Sequence, residues 1–266
     1  MSGKLSRSEK RRLLKADSRW VGKPIALNKG REPFEANIRH MVSILRDDKN
    51  MYRASEVSEY AHRLHEITMR ASKPTKLACA KGCYYCCHTF VTVVPAEVFR
   101  VAGVLQKRSD DIVNHIKETH AKTSGISQQD KWRSLVPCPL LDADSCSIHE
   151  VRPLTCRGCV STDAESCKRI YMEGKEEVPP FVIEYNSVTT AIAASLSAAL
   201  RLVGLQDRSI DWNGALAVAT STKNSEERWL AGEDIFSDVT RAIGTNPGTP
   251  FDKMVNGLVQ NVAPTI

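Results

Sequence analysis

The 266-residue chain lacks any run of about eighteen consecutive apolar residues. Its longest candidate, 188–200, is short and interrupted by Thr and Ser, so no membrane-spanning helix is expected. The N-terminus is basic but has no apolar core, which excludes a secretory signal of the usual kind. No Ser/His/Asp constellation, phosphate-binding loop or dinucleotide fingerprint occurs, so no catalytic residue can be assigned. No internal repeat is present. Hydrophobic content of 42% and charged content of 26% are ordinary for a globular chain, which excludes a disordered or collagen-like protein. These absences together lead us to expect a soluble, cytoplasmic protein whose enzymatic status is open. Cysteine is also absent from residues 1–78 and 168–266. Where it does occur therefore carries information.

The net charge of +6 is unevenly spread. Residues 1–31 hold ten Lys/Arg and two acids, a net +8, which leaves −2 for the other 235 residues. A basic tail of this kind can meet nucleic acid or an acidic partner. The plainer reading is a solvated segment, because the body of the chain is not basic.

Nine cysteines fall in the 89 residues from Cys79 to Cys167. A disulfide framework suits small secreted domains, and this chain is neither small nor marked for secretion. In a reducing compartment such a cluster points to metal. The first group is Cys79-x3-Cys83-x2-Cys86-Cys87. Two or three intervening residues let a loop bring both thiolates to one ion, and Gly82 supplies a permissive backbone before Cys83. Adjacent Cys86 and Cys87 would diverge in an extended segment, so two metals, or two irons of one cluster, would use them more readily. The second group is Cys138, Cys146, Cys156, Cys159 and Cys167. Pro137 and Pro139 hold Cys138 out of a helix, 142–145 reads as a turn before Cys146, and Pro153 stops a helix from running through the approach to Cys156. Eight thiolates would saturate two tetrahedral ions, or serve a cluster plus an ion.

Thiolate sites carry negative charge. Arg152 and Arg157 are expected to offset it from outside the ligand set and to fix the loops. His88 and His149 lie beside cysteines and could substitute for one, although ordinary roles fit them better. His62 and His65, one helical turn apart, read as helix-surface residues.

Cys79, Cys83 and Cys86, with Tyr85 before the third, also fit the three-cysteine pattern of radical S-adenosylmethionine enzymes. That fold needs a strand before the motif and repeated βα units after it, and the sequence offers neither. A closer match comes from Cys79-x3-Cys83-x2-Cys86-Cys87, Cys138-Pro139-x-Leu141, Cys146-x-Ile148 and Arg152-Pro153-x2-Cys156-Arg157. This arrangement resembles the CxxCxxCC (YkgJ-like) cysteine-cluster family of zinc- or iron-chelating domains. Its first gap is one residue longer than the family name implies. The segment 216–236, with Arg228-Trp229-Leu230-Ala231-Gly232, is similar to the helical tail of many members, so the resemblance spans about 79–236. It implies Cys79, Cys83, Cys86, Cys87, Cys138, Cys146 and Cys156 as metal ligands. Cys167 stands as the eighth by its spacing, with Cys159 as an extra or alternative ligand. Flagellin lysine N-methylases carry a related cluster, which raises protein modification as an alternative by analogy.

Outside the cluster the pattern is helical. Ile38, Met41, Val42 and Leu45 share one face, as do Val57, Tyr60, Ala61, Leu64 and Ile67. Pro95 reads as a first helical position before Val98, Val101, Ala102 and Leu105. A short helix is predicted from 112 to about 120, then a polar loop over 121–134. A long apolar stripe runs over 184–204, ending near Gly204. Asn224 with Glu227 resembles a helix N-terminal pair. Trp132, Trp212 and Trp229 are expected in the core. The only strand-like piece is 89–94. The predicted class is therefore mainly α, a helical shell around a loop-built, cysteine-rich metal centre. The expected organisation is a basic tail over 1–33, one helical domain over 34–240 with the cluster at 79–167, and a loosely ordered extension over 241–266.

Three functions fit this reading. The first is a metal-binding protein holding an iron–sulfur cluster or zinc in a structural or redox role, since full thiolate ligation leaves no position for a hydrolytic water. The second is a protein-modifying, methylase-like enzyme using the cluster. The third is a zinc-knuckle interaction module presenting Tyr84, Tyr85 and the basic tail to nucleic acid.

Overall fold

A computed structural model describes residues 31–72, 75–106, 108, 110–175 and 179–266. The basic segment therefore lies outside the described residues, except that helix α1 already begins at Arg31. The chain is mainly helical with very little strand, as its apolar periodicity predicts.

At the centre lies α8, Ile183–Leu202. Val188, Ile192, Leu196 and Leu200 are at most 2% exposed, and Ala194, Ser195, Ser197, Ala198 and Ala199 are buried as well. A helix covered on all sides needs small residues where neighbours come close. Its two interior serines satisfy their hydroxyls locally, Ser195 donating to the Ala191 carbonyl and Ser197 to that of Asp207. Around α8 pack α1 (Arg31–Leu45), α2 (Arg53–Ser72) and two helices of the second half, α6 (Leu154–Gly158) and α11 (Pro250–Val262). Helix α3 (Pro95–Leu105) lies on α2, with Pro95 at its first turn. Helix α9 (Trp212–Ser221) packs on α3 and on α4 (Asp110–Thr123). Phe99 of α3 meets Trp229 and Phe236, ring centroids 5.2 and 5.7 Å away, and closes that side of the core.

Among the described residues strand is confined to two short pairs. Thr92–Val93 pairs antiparallel with Ile210–Asp211, and Leu141–Asp142 with Ser145–Cys146. Among the described residues no helix is long and apolar enough to cross a membrane.

Four expectations change. Residues 121–134 are not one polar loop: α4 continues to Thr123, and a short helix α5, Gln128–Arg133, starts where the Ser127 hydroxyl accepts from the Asp130 N–H at 3.0 Å. Residues 241–266 are not loosely ordered throughout, because α11 forms there. Thr249 caps it, Pro250 sits in its first turn, and Val255 and Val262 are fully buried against the body. Asn224 does precede a helix (α10, Ser225–Leu230), but with φ of 54° it makes no side-chain cap. His62 and His65 are buried rather than on a helix surface, because α3 and α8 cover that face of α2. Trp212 and Trp229 are core residues as expected. The side chain of Trp132 lies outside what is described.

Candidate metal centre

The cysteine-bearing segments are loops and single turns set on the helical body. The turn from Ala80 to Cys83, closed by the Cys83 N–H to Ala80 carbonyl bond at 3.0 Å, has Gly82 at φ +87°. That left-handed position favours glycine and folds Cys83 back toward Cys79. A 3₁₀ turn, Tyr85–His88, comes next. In it Cys86 and Cys87 lie about 120° apart around the axis rather than on opposite faces as in a strand, and both border one cavity. The Cys138 N–H donates to the Cys87 carbonyl at 2.7 Å and joins the second group to the first. Ala143 and Asp144, with φ of 42° and 62°, make the tight turn that places Cys146 on its short strand. Pro153 precedes α6, which carries Cys156 and ends at Cys159. Helix α7 (Ala164–Glu173), capped by Asp163, carries Cys167.

Cys86, Cys87, Cys138, Cys146, Cys156 and Cys159 line one cavity of about 550 Å³, with Phe90, Tyr171, Phe181 and Trp212 in its wall. Cys79, Cys83 and Cys167 lie outside it. All nine thiols are free. Cys86 is the junction. It accepts hydrogen bonds from Cys159 and Cys87, and these hold its thiol well below the usual range. The same bond to Cys86, together with burial, pushes Cys87 and Cys159 up. Burial raises Cys146 and Cys156, and takes Cys138 and Cys167 to about 11.

As placed, no three His, Cys, Asp or Glu side chains among the described residues are disposed to hold an ion between them. The donor chemistry nevertheless fits zinc or iron. Soft thiols converge from three chain segments on one space, and binding a cation would expel their protons and draw the sulfurs inward.

Arg152 lies in the cavity wall, and its charge favours the thiolates of Cys86, Cys146 and Cys156. Its Nε is buried with no hydrogen-bond partner among the described residues. Arg157 does different work. Its guanidinium donates to the Arg152 carbonyl at 2.8 Å, to the Glu150 carbonyl and to Glu66 at 2.8 Å. It ties the loop before Cys156 to α2. His88 is buried against the Tyr85 carbonyl, and His149 is exposed; neither lines the cavity.

Several supports have no clear signature along the chain. Glu97, 1% exposed, accepts from the N–H groups of Val94 and Leu154 at 3.1 and 2.7 Å, and from His62 Nε2 at 3.0 Å. Arg100 donates to His62 Nδ1 at 2.7 Å, which assigns the imidazole proton to Nε2. One carboxylate thus joins α2, the start of α3 and the start of α6. A glutamate two residues after Pro95, in the helix's first turn, is the available hint. Lys131 and Asp211 form a buried pair at 2.6 Å, with the ammonium 4.9 Å from the Phe90 ring centroid. The Trp212 indole donates to the Cys138 sulfur.

Residues 78–176 match the model of a family described as "Putative zinc- or iron-chelating domain", CxxCxxCC. The cysteine-rich stretch thus matches the CxxCxxCC family. The match contains all nine cysteines and ends at 176, so the helices over 216–236 lie beyond it. No curated protein matches the chain, and no solved structure does. A zinc- or iron-chelating role is what the CxxCxxCC match supports.

Proposed function

We propose that this is a metal-binding protein whose cavity-facing cysteines hold an iron–sulfur centre, in a structural or redox role. Six thiols around one cavity is the observation that carries this reading. A lone structural zinc draws four sulfurs to about 2.3 Å and leaves no space between them. A volume of about 550 Å³ bordered by six sulfurs suits a polynuclear centre better. The 3₁₀ turn that aims both Cys86 and Cys87 inward supports the same choice. Such a centre, when bound, supplies one-electron chemistry or a rigid cross-link between loops.

The chain's own residues have definite parts in this reading. Cys87, Cys138, Cys146 and Cys156 are the principal ligands, and Cys159, beside Cys86, joins them rather than standing as surplus. Arg152 offsets the thiolate charge, and the Trp212 indole holds Cys138 by an N–H···S bond. Phe90, Phe181 and Tyr171 limit the approach of water.

Anaerobic purification with metal and sulfide analysis and an absorption spectrum tests this. Brown protein with iron and labile sulfide is the expected result. Colourless protein with zinc would keep the metal and replace the cluster. Protein that takes up neither metal under reducing conditions would overturn the reading.

A further inference from the structure

We propose that a second cavity, which shares Cys159 with the thiol cavity, binds a neutral small molecule carrying a carboxamide-like group on an apolar frame. This rests on the wall of that cavity and not on which metal the thiols hold.

The second cavity has a volume of about 510 Å³, a size that suits a small molecule. Thr155, Cys159 and Phe181 border both cavities. The rest of its wall comes from the strand Thr92–Val93, helices α6 and α8, the segment just before the strand Ile210–Asp211, the turn 242–245 and Phe251 of α11. Helices α6 and α8 cross closely there. A Cβ added at Gly158 would come within 2.6 Å of the Thr189 hydroxyl oxygen. Such a contact leaves no play between the two helices, so this part of the wall is formed before any ligand arrives.

Charge and hydrogen bonding define what fits. Among the described residues of the wall, only Glu97 carries a charge. Both its oxygens are taken, Oε1 by the Leu154 N–H and His62, Oε2 by the Val94 N–H. A charged ligand would lose its water here with no counter-charge to replace it. The polar side chains of the wall fall into two sets. The hydroxyls of Thr155, Thr189 and Thr245 are bonded to the Thr92 carbonyl, to His65 and to the Ala242 carbonyl. The Asn186 amide and the Thr190 and Ser209 hydroxyls have no hydrogen-bond partner among the described residues. Asn186 and Thr190 are one turn apart on α8 and share a face of it. All three free groups both donate and accept, and a carboxamide does the same. Phe181, Phe251, Leu154 and Ile243 supply apolar surface, and Ile243, 70% exposed, has little cover of its own. A few free polar groups in an otherwise apolar wall are the pattern of a small-molecule site.

Saturation-transfer NMR of the protein as purified tests this, with benzamide, benzoate and benzylamine as probes of one frame and different charge. Benzamide should bind, and the two charged probes should bind about tenfold more weakly or not at all. Thr190→Val and Ser209→Ala should each weaken benzamide binding while melting like wild type. Isotope-labelled wild type gives a readout free of variant folding: benzamide should shift the Asn186 side-chain amide and the Ser209 backbone amide. The inference is overturned if benzamide does not bind, if either charged probe binds as well, if neither variant weakens binding, or if the shifts fall only elsewhere. Protein that holds no metal and still binds benzamide in this pattern would keep the second cavity and remove the metal reading.

Discussion

The helical body and the cysteine-bearing loops are ordered by different means. In the body, Leu196, Leu200, Ile38, Met41 and Phe99 are removed from water by helices with matching apolar faces. The loops over 78–91 and 138–163 hold little regular structure. They rest on single polar ties: Arg157 to two carbonyls and Glu66, Glu97 to the Leu154 N–H, and the Cys138 N–H to the Cys87 carbonyl. Burial also keeps most of their thiols protonated. The body has what it needs to fold from its side chains alone. The loops bring reactive groups together, and under the proposed function a bound cation completes their order.

The sharpest way to break this comparison is Cys156→Ser. We expect loss of the cavity metal and a large fall in the melting temperature of the cysteine region, with helical content largely kept. Far-UV circular dichroism alongside metal analysis reads this, and a metal-free variant melting like wild type would sink it. Glu97→Ala comes next, because it strands a buried imidazole and two N–H groups at the seam between the regions. A cost of about 3–5 kcal/mol is expected in urea unfolding, with weakened metal retention. Leu196→Ala tests the other side. It should cost about 2–5 kcal/mol and leave the metal content per folded molecule unchanged.

The smallest effect is one of pH. Burial, then the charge of Arg157, holds His65 near 4, below its ordinary 6.5. Its folded-state value is depressed and its neutral form donates no net charge to the core. Stability from this group is therefore complete above about pH 6.5 and lost as pH falls toward 4, in all about 3 kcal/mol. His65→Gln should flatten that part of the stability–pH curve. An unchanged acid limb would show that His65 is solvated in the folded state.

Much of the body is legible in the sequence. The stripes Ile38–Leu45 and Val188–Leu200 repeat at helical spacing, and Pro95 marks a helix start. Spacing misplaces His62 and His65, because it locates a residue on a helix without saying whether a second helix covers that side. It also hides the C-terminal helix. Pro247, Gly248 and Pro250 read as a turn, whereas the Thr249 hydroxyl accepts the Asp252 N–H and caps α11. At the candidate centre, spacing groups the thiols by chain segment. It cannot foresee that a 3₁₀ turn directs Cys86 and Cys87 to one space, or that Cys159 lines the cavity while Cys167 lies outside it.

By itself the sequence pointed to the kind of chemistry, since nine soft donors confined to one third of the chain suit soft metal ions. Only the tertiary structure decided which sulfurs share a space. The reason is physical: coordination depends on distances of a few ångström between residues up to 88 positions apart, and those distances are set by how α7 packs against the turn at Cys86 and how α6 packs on α8, not by the spacing along the chain.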